Sequence, residues 1–102
     1  MTSMSTPQPS LPLPHNVPLQ LQRQFRFQWE AAQECFVLLY PEGMVKLPGS
    51  AGEIMKRVDG VRSAEAIVSD LESSFPGVDL RGDVIGFLEV AHGKGWIRPK
   101  AD

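Results

Sequence analysis

The chain has 102 residues, enough for one small domain with a single core. Ten basic against twelve acidic residues give a formal net charge of −2, which argues against the cationic surface that sequence-independent nucleic-acid binding requires. The lone cysteine, Cys35, rules out an internal disulfide and fits a reducing compartment. No apolar run reaches membrane-spanning length, and the N-terminus lacks the basic and apolar regions of a signal peptide. These features predict a soluble, cytoplasmic protein with no membrane partner.

In chain order, residues 1–22 come first. They hold no Asp, Glu, Lys or Arg, but include Pro7, Pro9, Pro12, Pro14 and Pro18. Proline removes backbone donors and favours extended conformations, so this stretch reads as a flexible arm outside a domain spanning 23–102. Its apolar residues, Leu11, Leu13, Val17, Leu19 and Leu21, could dock on a second subunit and make a homodimer. On this reading the arm is dispensable for folding.

From Phe25 the pattern changes. Phe25, Phe27 and Trp29 alternate with Arg26, Gln28 and Glu30, the period-two signature of a half-buried strand. Ala31 to Glu34 connect it to a more apolar strand, Phe36 to Tyr40. Pro41, Glu42 and Gly43 then read as a tight turn, with Gly43 expected to supply a positive φ. Met44 to Leu47 form the third strand, stopped by Pro48 and Gly49. A three-stranded meander leaves this third strand at an edge.

Three helices are predicted next. Ser50 and Glu53 fit a capping box ahead of an Ala51, Ile54, Met55 and Val58 stripe that ends at Asp59-Gly60. Ser63 caps the second helix, whose stripe is Ala64, Ile67, Val68, Leu71 and Phe75, before Pro76-Gly77. Asp79 caps the third, with Leu80, Val84, Phe87, Leu88 and Ala91 inward and Gly93 and Gly95 at its end. Trp96-Ile97 could add a short strand. The expected class is α+β: a three-stranded antiparallel meander followed by three short helices, in the manner of a winged helix-turn-helix.

Catalytic chemistry finds little support. His15, Cys35 and His92 have no partners at metal-ligand spacing, so no metal or other cofactor is expected. Cys35 has no His or basic cluster beside it in sequence to lower its pKa, and reads as a small strand residue. Glu65, Asp70 and Glu72 read as a solvated helix face. Gly93-Lys94-Gly95 ends a helix instead of opening one, so it is no phosphate loop. A winged-helix transcriptional regulator is the rival reading, but the second helix offers mainly carboxylates and serines where a recognition helix needs base-reading cations and amides.

What remains is the edge strand. An extended peptide can add to Met44, Val45, Lys46 and Leu47 through main-chain hydrogen bonds. The third helix carries more apolar residues than one core stripe needs, and Ile85 and Val90, near Leu88 and Val84, could wall a peptide groove. The bland alternative is that Ile85 and Val90 simply pack on the first helix or on the strands.

The runs LLYPEGMVKL (38–47), SAGEIM (50–55), Asp59-Gly60 and GKGWI (93–97) closely resemble the PqqD family of pyrroloquinoline quinone (PQQ) biosynthesis, and the likeness runs from about Arg23 to Lys100. The resemblance implies a winged-helix RiPP recognition element that acts as a peptide chaperone without catalysis. It would hold the PqqA precursor peptide and present it to the radical-SAM enzyme PqqE, which joins a Glu and a Tyr of that peptide. On this reading the peptide-binding residues are Met44, Val45, Lys46, Leu47, Val84, Ile85, Leu88 and Val90.

Overall fold

The computed structural model describes residues 13–100. The strands are β1 (Leu19–Leu21), β2 (Arg26–Glu30), β3 (Cys35–Tyr40), β4 (Gly43–Leu47) and β5 (Ile97–Pro99), and the helices are α1 (Ser50–Met55), α2 (Ala64–Ser74) and α3 (Arg81–Gly93). β4 leads into α1, and α3 leads into β5. The strands make two antiparallel sheets: β2-β3-β4, and a separate pair of β1 with β5.

The meander and the three helices match the sequence reading. The β1–β5 pair does not. Leu19 sits opposite Pro99 and Leu21 opposite Ile97, and both Leu19 and Ile97 are fully buried. The chain before Arg23 is also tied down elsewhere. Leu19 donates to the Arg62 carbonyl at 3.0 Å and accepts from Gly60 at 2.7 Å, and Glu65 donates to the His15 carbonyl at 3.0 Å. Leu13 joins the core. The folded part of the chain therefore includes residues before the expected boundary, Leu13 among them. Leu13 and Leu19, expected to reach a second subunit, are spent on the chain's own core, with Leu21 packed against it. Prolines do not prevent this. Pro18 stands just before the strand, and its carbonyl still accepts from Lys100 at 2.7 Å. Pro7, Pro9, Pro12 and Leu11 lie outside the described residues.

Several local readings change as well. Gly43 is not in the left-handed region; glycine suits the position because a Cβ there would lie 3.1 Å from the Tyr40 hydroxyl across the hairpin. The left-handed turn residue lies on the previous hairpin, where Glu34 has φ 55°. Ser50 forms no capping box. Gly49, with φ 59°, is the residue preceding α1, and no side chain caps that helix. Ser63 does cap α2, its Oγ accepting from Ala66 at 3.1 Å. Asp79 precedes the N-cap position of α3, held by Leu80, yet still accepts from the Arg81 amide at 3.3 Å.

Facing partners across the strands share a side of the sheet. Trp29, Phe36 and Leu47 form one such row, and Phe27, Leu38 and Val45 the next. Phe27 stacks on Phe36 at 4.7 Å between ring centroids, and Trp29 meets Phe36 edge-on at 5.2 Å. Leu38 and Leu47 of this face join the helix residues Ile54, Met55, Ile67, Val84 and Leu88 in the core. The sheet thus lays one aromatic-rich face on the helices. No described helix is long and apolar enough to cross a membrane.

Candidate functional site

Two features stand out on this frame. The first is the edge of β4, which pairs with β3 on one side and, among the described residues, with no strand on the other. The second is a groove of about 540 Å³ where the sheet end meets the helices. Its sheet wall is Trp29, Cys35, Phe36 and Leu47. Ile54 of α1 lies between, and Leu71, Phe75, Val78, Leu80 and Val84 form the opposite wall. Glu34, Glu53 and Asp83 also line it.

The groove depends on close approach of α1 to the sheet. A Cβ on Gly52 would lie 2.7 Å from the Leu47 carbonyl oxygen and 3.0 Å from the Phe36 ring. Backbone cannot yield to this contact cheaply. Gly52→Ala is therefore expected to push α1 off the sheet and destabilise the domain by about 1–3 kcal/mol. Urea unfolding followed by circular dichroism measures it, and an unchanged midpoint would show that α1 has room to move.

Ion pairs brace the helical side. Arg57 donates to the Asp70 carboxylate of α2, to Glu53 Oε1 at 3.0 Å and to the Glu53 carbonyl at 2.8 Å. The hydrogen bond from Arg57 holds the Asp70 carboxyl below its usual range. Arg81 similarly grips Glu65, lowering that carboxyl too, and Glu72 accepts from the Leu80 amide at 3.3 Å. These contacts fix α1 against α2 and seat the start of α3, so both ends of the loop carrying Phe75, Val78 and Leu80 are anchored.

The eight residues anticipated as peptide contacts separate in space. Met44, Val45 and Lys46 lie along the open edge, with Met44 exposed and Val45 half-buried. Leu47 and Val84 line the groove, although each is almost wholly buried. Leu88 has no exposed surface and belongs to the core. Ile85 is partly buried against that core, the bland alternative for it. Val90 is exposed but does not line the groove. The groove's main apolar contributors, Trp29, Phe75 and Val78, were not anticipated. Phe75 was expected to point inward as the end of the α2 stripe; as the C-terminal cap residue it turns outward instead. The dipeptide Pro76-Gly77 after it was the available signal, since a chain that leaves its helix there also leaves the helical face.

Among the described residues, no group of three or more His, Cys, Asp and Glu is placed to hold a metal ion. Cys35 is buried in the groove wall.

A small α+β domain with an unpaired strand edge beside an apolar groove has the form of a peptide-recognition module. The family model described as Coenzyme PQQ synthesis protein D (PqqD) matches residues 35–97, and the chain belongs to that family. A "PqqA binding protein" of Pseudomonas aeruginosa is 58% identical over 89 residues, which cover 86% of this chain and 96% of that protein. The "PqqA binding protein" of Azotobacter vinelandii is 60% identical over 79 residues, covering 76% of this chain and 86% of the other. The fold is shared with the solution structure of the PqqD truncation of Methylobacterium extorquens PqqCD, described as a stand-alone RiPP recognition element. The TM-score is 0.65 at 23% identity, over 78% of this chain and 87% of that one.

Proposed function

We propose that this chain is a non-catalytic, cytoplasmic chaperone that binds the PqqA precursor peptide and presents it to the radical-SAM enzyme PqqE in PQQ biosynthesis. The observation that carries the reading is the conjunction of family membership with an unpaired edge at Met44–Leu47 beside an apolar groove. An added strand gains main-chain hydrogen bonds along β4, and the groove supplies the side-chain pocket that such bonds lack. Holding a flexible peptide in one register lowers the entropic cost of the later reaction on PqqE. Ile85 and Leu88 act from behind in this reading, supporting the wall to which Val84 contributes, and Val90 lies on a surface open to another partner.

On this reading the α+β domain serves a peptide and not DNA. Of the exposed positions of α3, Gly82, Asp83, Gly86, Glu89 and Val90 present neither a base-reading amide nor a cation, and the exposed Arg81 is engaged by Glu65.

The test is a titration of isotope-labelled protein with synthetic PqqA peptide, followed by backbone amide shifts. The expected result is movement of Met44 and Lys46 together with Phe75, Val78 and Leu80. β2 is the other edge of the same sheet. Shifts confined to Phe27 and Trp29 would move the added strand to β2, and no shift in either group would remove the peptide-binding reading.

A further inference from the structure

Among the described residues, six large apolar side chains are notably exposed: Trp29, Met44, Val61, Phe75, Val78 and Val90. Three of them, Trp29 at 55%, Phe75 at 48% and Val78 at 53%, line the groove described above. Isolated apolar residues on a surface need no explanation, but three converging on one concavity do. The same lining carries the carboxylates of Glu34, Glu53 and Asp83, and no Lys or Arg. Glu53 is engaged by Arg57 at 3.0 Å. Glu34 and Asp83 enter no ion pair among the described residues. Asp83 lies in the first turn of α3, where it also favours the helix dipole. Glu34 has no such role: it sits in an exposed turn on the sheet side of the groove. Carboxylates therefore approach from both walls.

We infer that the groove selects a peptide segment carrying a bulky apolar anchor flanked by lysine or arginine. This rests on the peptide-binding reading and adds the chemistry of the segment that the groove accepts. The anchor contacts Trp29, Phe75 and Val78 and removes their apolar surface from water. The flanking cations meet Glu34 and Asp83 at the rim, where ion pairs are weak singly but steer encounter and set orientation. An acidic flank meets like charge at both walls and is rejected.

The test uses the full chain and three synthetic peptides of equal length. They share one phenylalanine anchor and differ only in its neighbours: lysine, glutamine or glutamate. PqqA peptide is the reference. Amide shifts of Trp29, Phe75 and Val78 report occupancy, and their concentration dependence gives affinity. Affinity is expected to fall in the order lysine, glutamine, glutamate. In Glu34→Gln and in Asp83→Asn, the lysine peptide is expected to bind about threefold more weakly, with the glutamine peptide little changed. Raising salt to about 1 M, where the screening length is only about 3 Å, should erase the order. Melting curves of both variants separate lost charge from lost fold. If PqqA moves the groove amides but the three peptides bind alike, or the order survives in both variants, the charge inference is overturned and the peptide-binding reading stands. If neither PqqA nor any of the three moves them, both fall.

Discussion

Deleting residues 1–21 is expected to abolish cooperative folding, although the stretch carries no charge and is rich in proline. It removes β1, and with it Leu13 and Leu19 from the core. It also strips Ile97 of its strand partner and leaves the Gly60 amide and Arg62 carbonyl without the bonds they share with Leu19. Leu19 is fully buried, so Leu19→Ala alone should destabilise by about 2–5 kcal/mol. That is a large part of the roughly 5–15 kcal/mol holding a small domain together. Urea denaturation by circular dichroism measures the point variant, and the truncated chain should show no cooperative transition. A truncated chain that still melts cooperatively would mean that the helices and the meander are sufficient without the β1–β5 pair.

The sequence was most informative where one signal had one physical use. The alternation of Phe25, Phe27 and Trp29 marked β2 because a strand with one buried face must alternate. Ser63 marked the start of α2 because its hydroxyl meets an amide that the helix leaves unbonded. Leu19 was harder. In a three-residue strand no alternation can build up, and the prolines around it signal an arm. What identifies it is the partner strand Ile97–Pro99, where Leu19 faces Pro99 eighty positions away, and a pairing at that separation leaves no local trace. The edge of β4 was legible because a meander must end somewhere. The groove was not, since its walls come from the sheet end and from the loop after α2, which only the fold brings together. Val84 and Leu88 illustrate the same limit: an apolar helix residue looks alike in sequence whether it lines a groove or fills a core.

A proline scan of β4 should have the largest effect on peptide binding. The hairpin loop is Pro41-Glu42, closed by the facing pair Tyr40 and Gly43. In a two-residue hairpin the closing pair is hydrogen-bonded, and bonded and non-bonded pairs then alternate along an antiparallel ladder. Leu38 with Val45, and Phe36 with Leu47, are therefore bonded pairs. Met44 and Lys46 face Leu39 and Val37 in the non-bonded pairs, so their N–H and C=O groups point to the open edge. Lys46→Pro deletes an outward donor and leaves the ladder to β3 intact. Binding of PqqA should weaken about fivefold from the lost hydrogen bond alone, more if the ring blocks the incoming strand, and the melting temperature should change little. Val45→Pro deletes a ladder donor in the hairpin and should lower stability sharply, by about 3 kcal/mol or more if proline is as costly here as inside a helix. Calorimetric titration and thermal melts on both variants distinguish the outcomes. If Lys46→Pro binds PqqA as tightly as the parent chain, the peptide does not add to β4. Trp29→Pro then tests the other edge, because continuing the alternation through β3 directs the Trp29 amide away from the sheet.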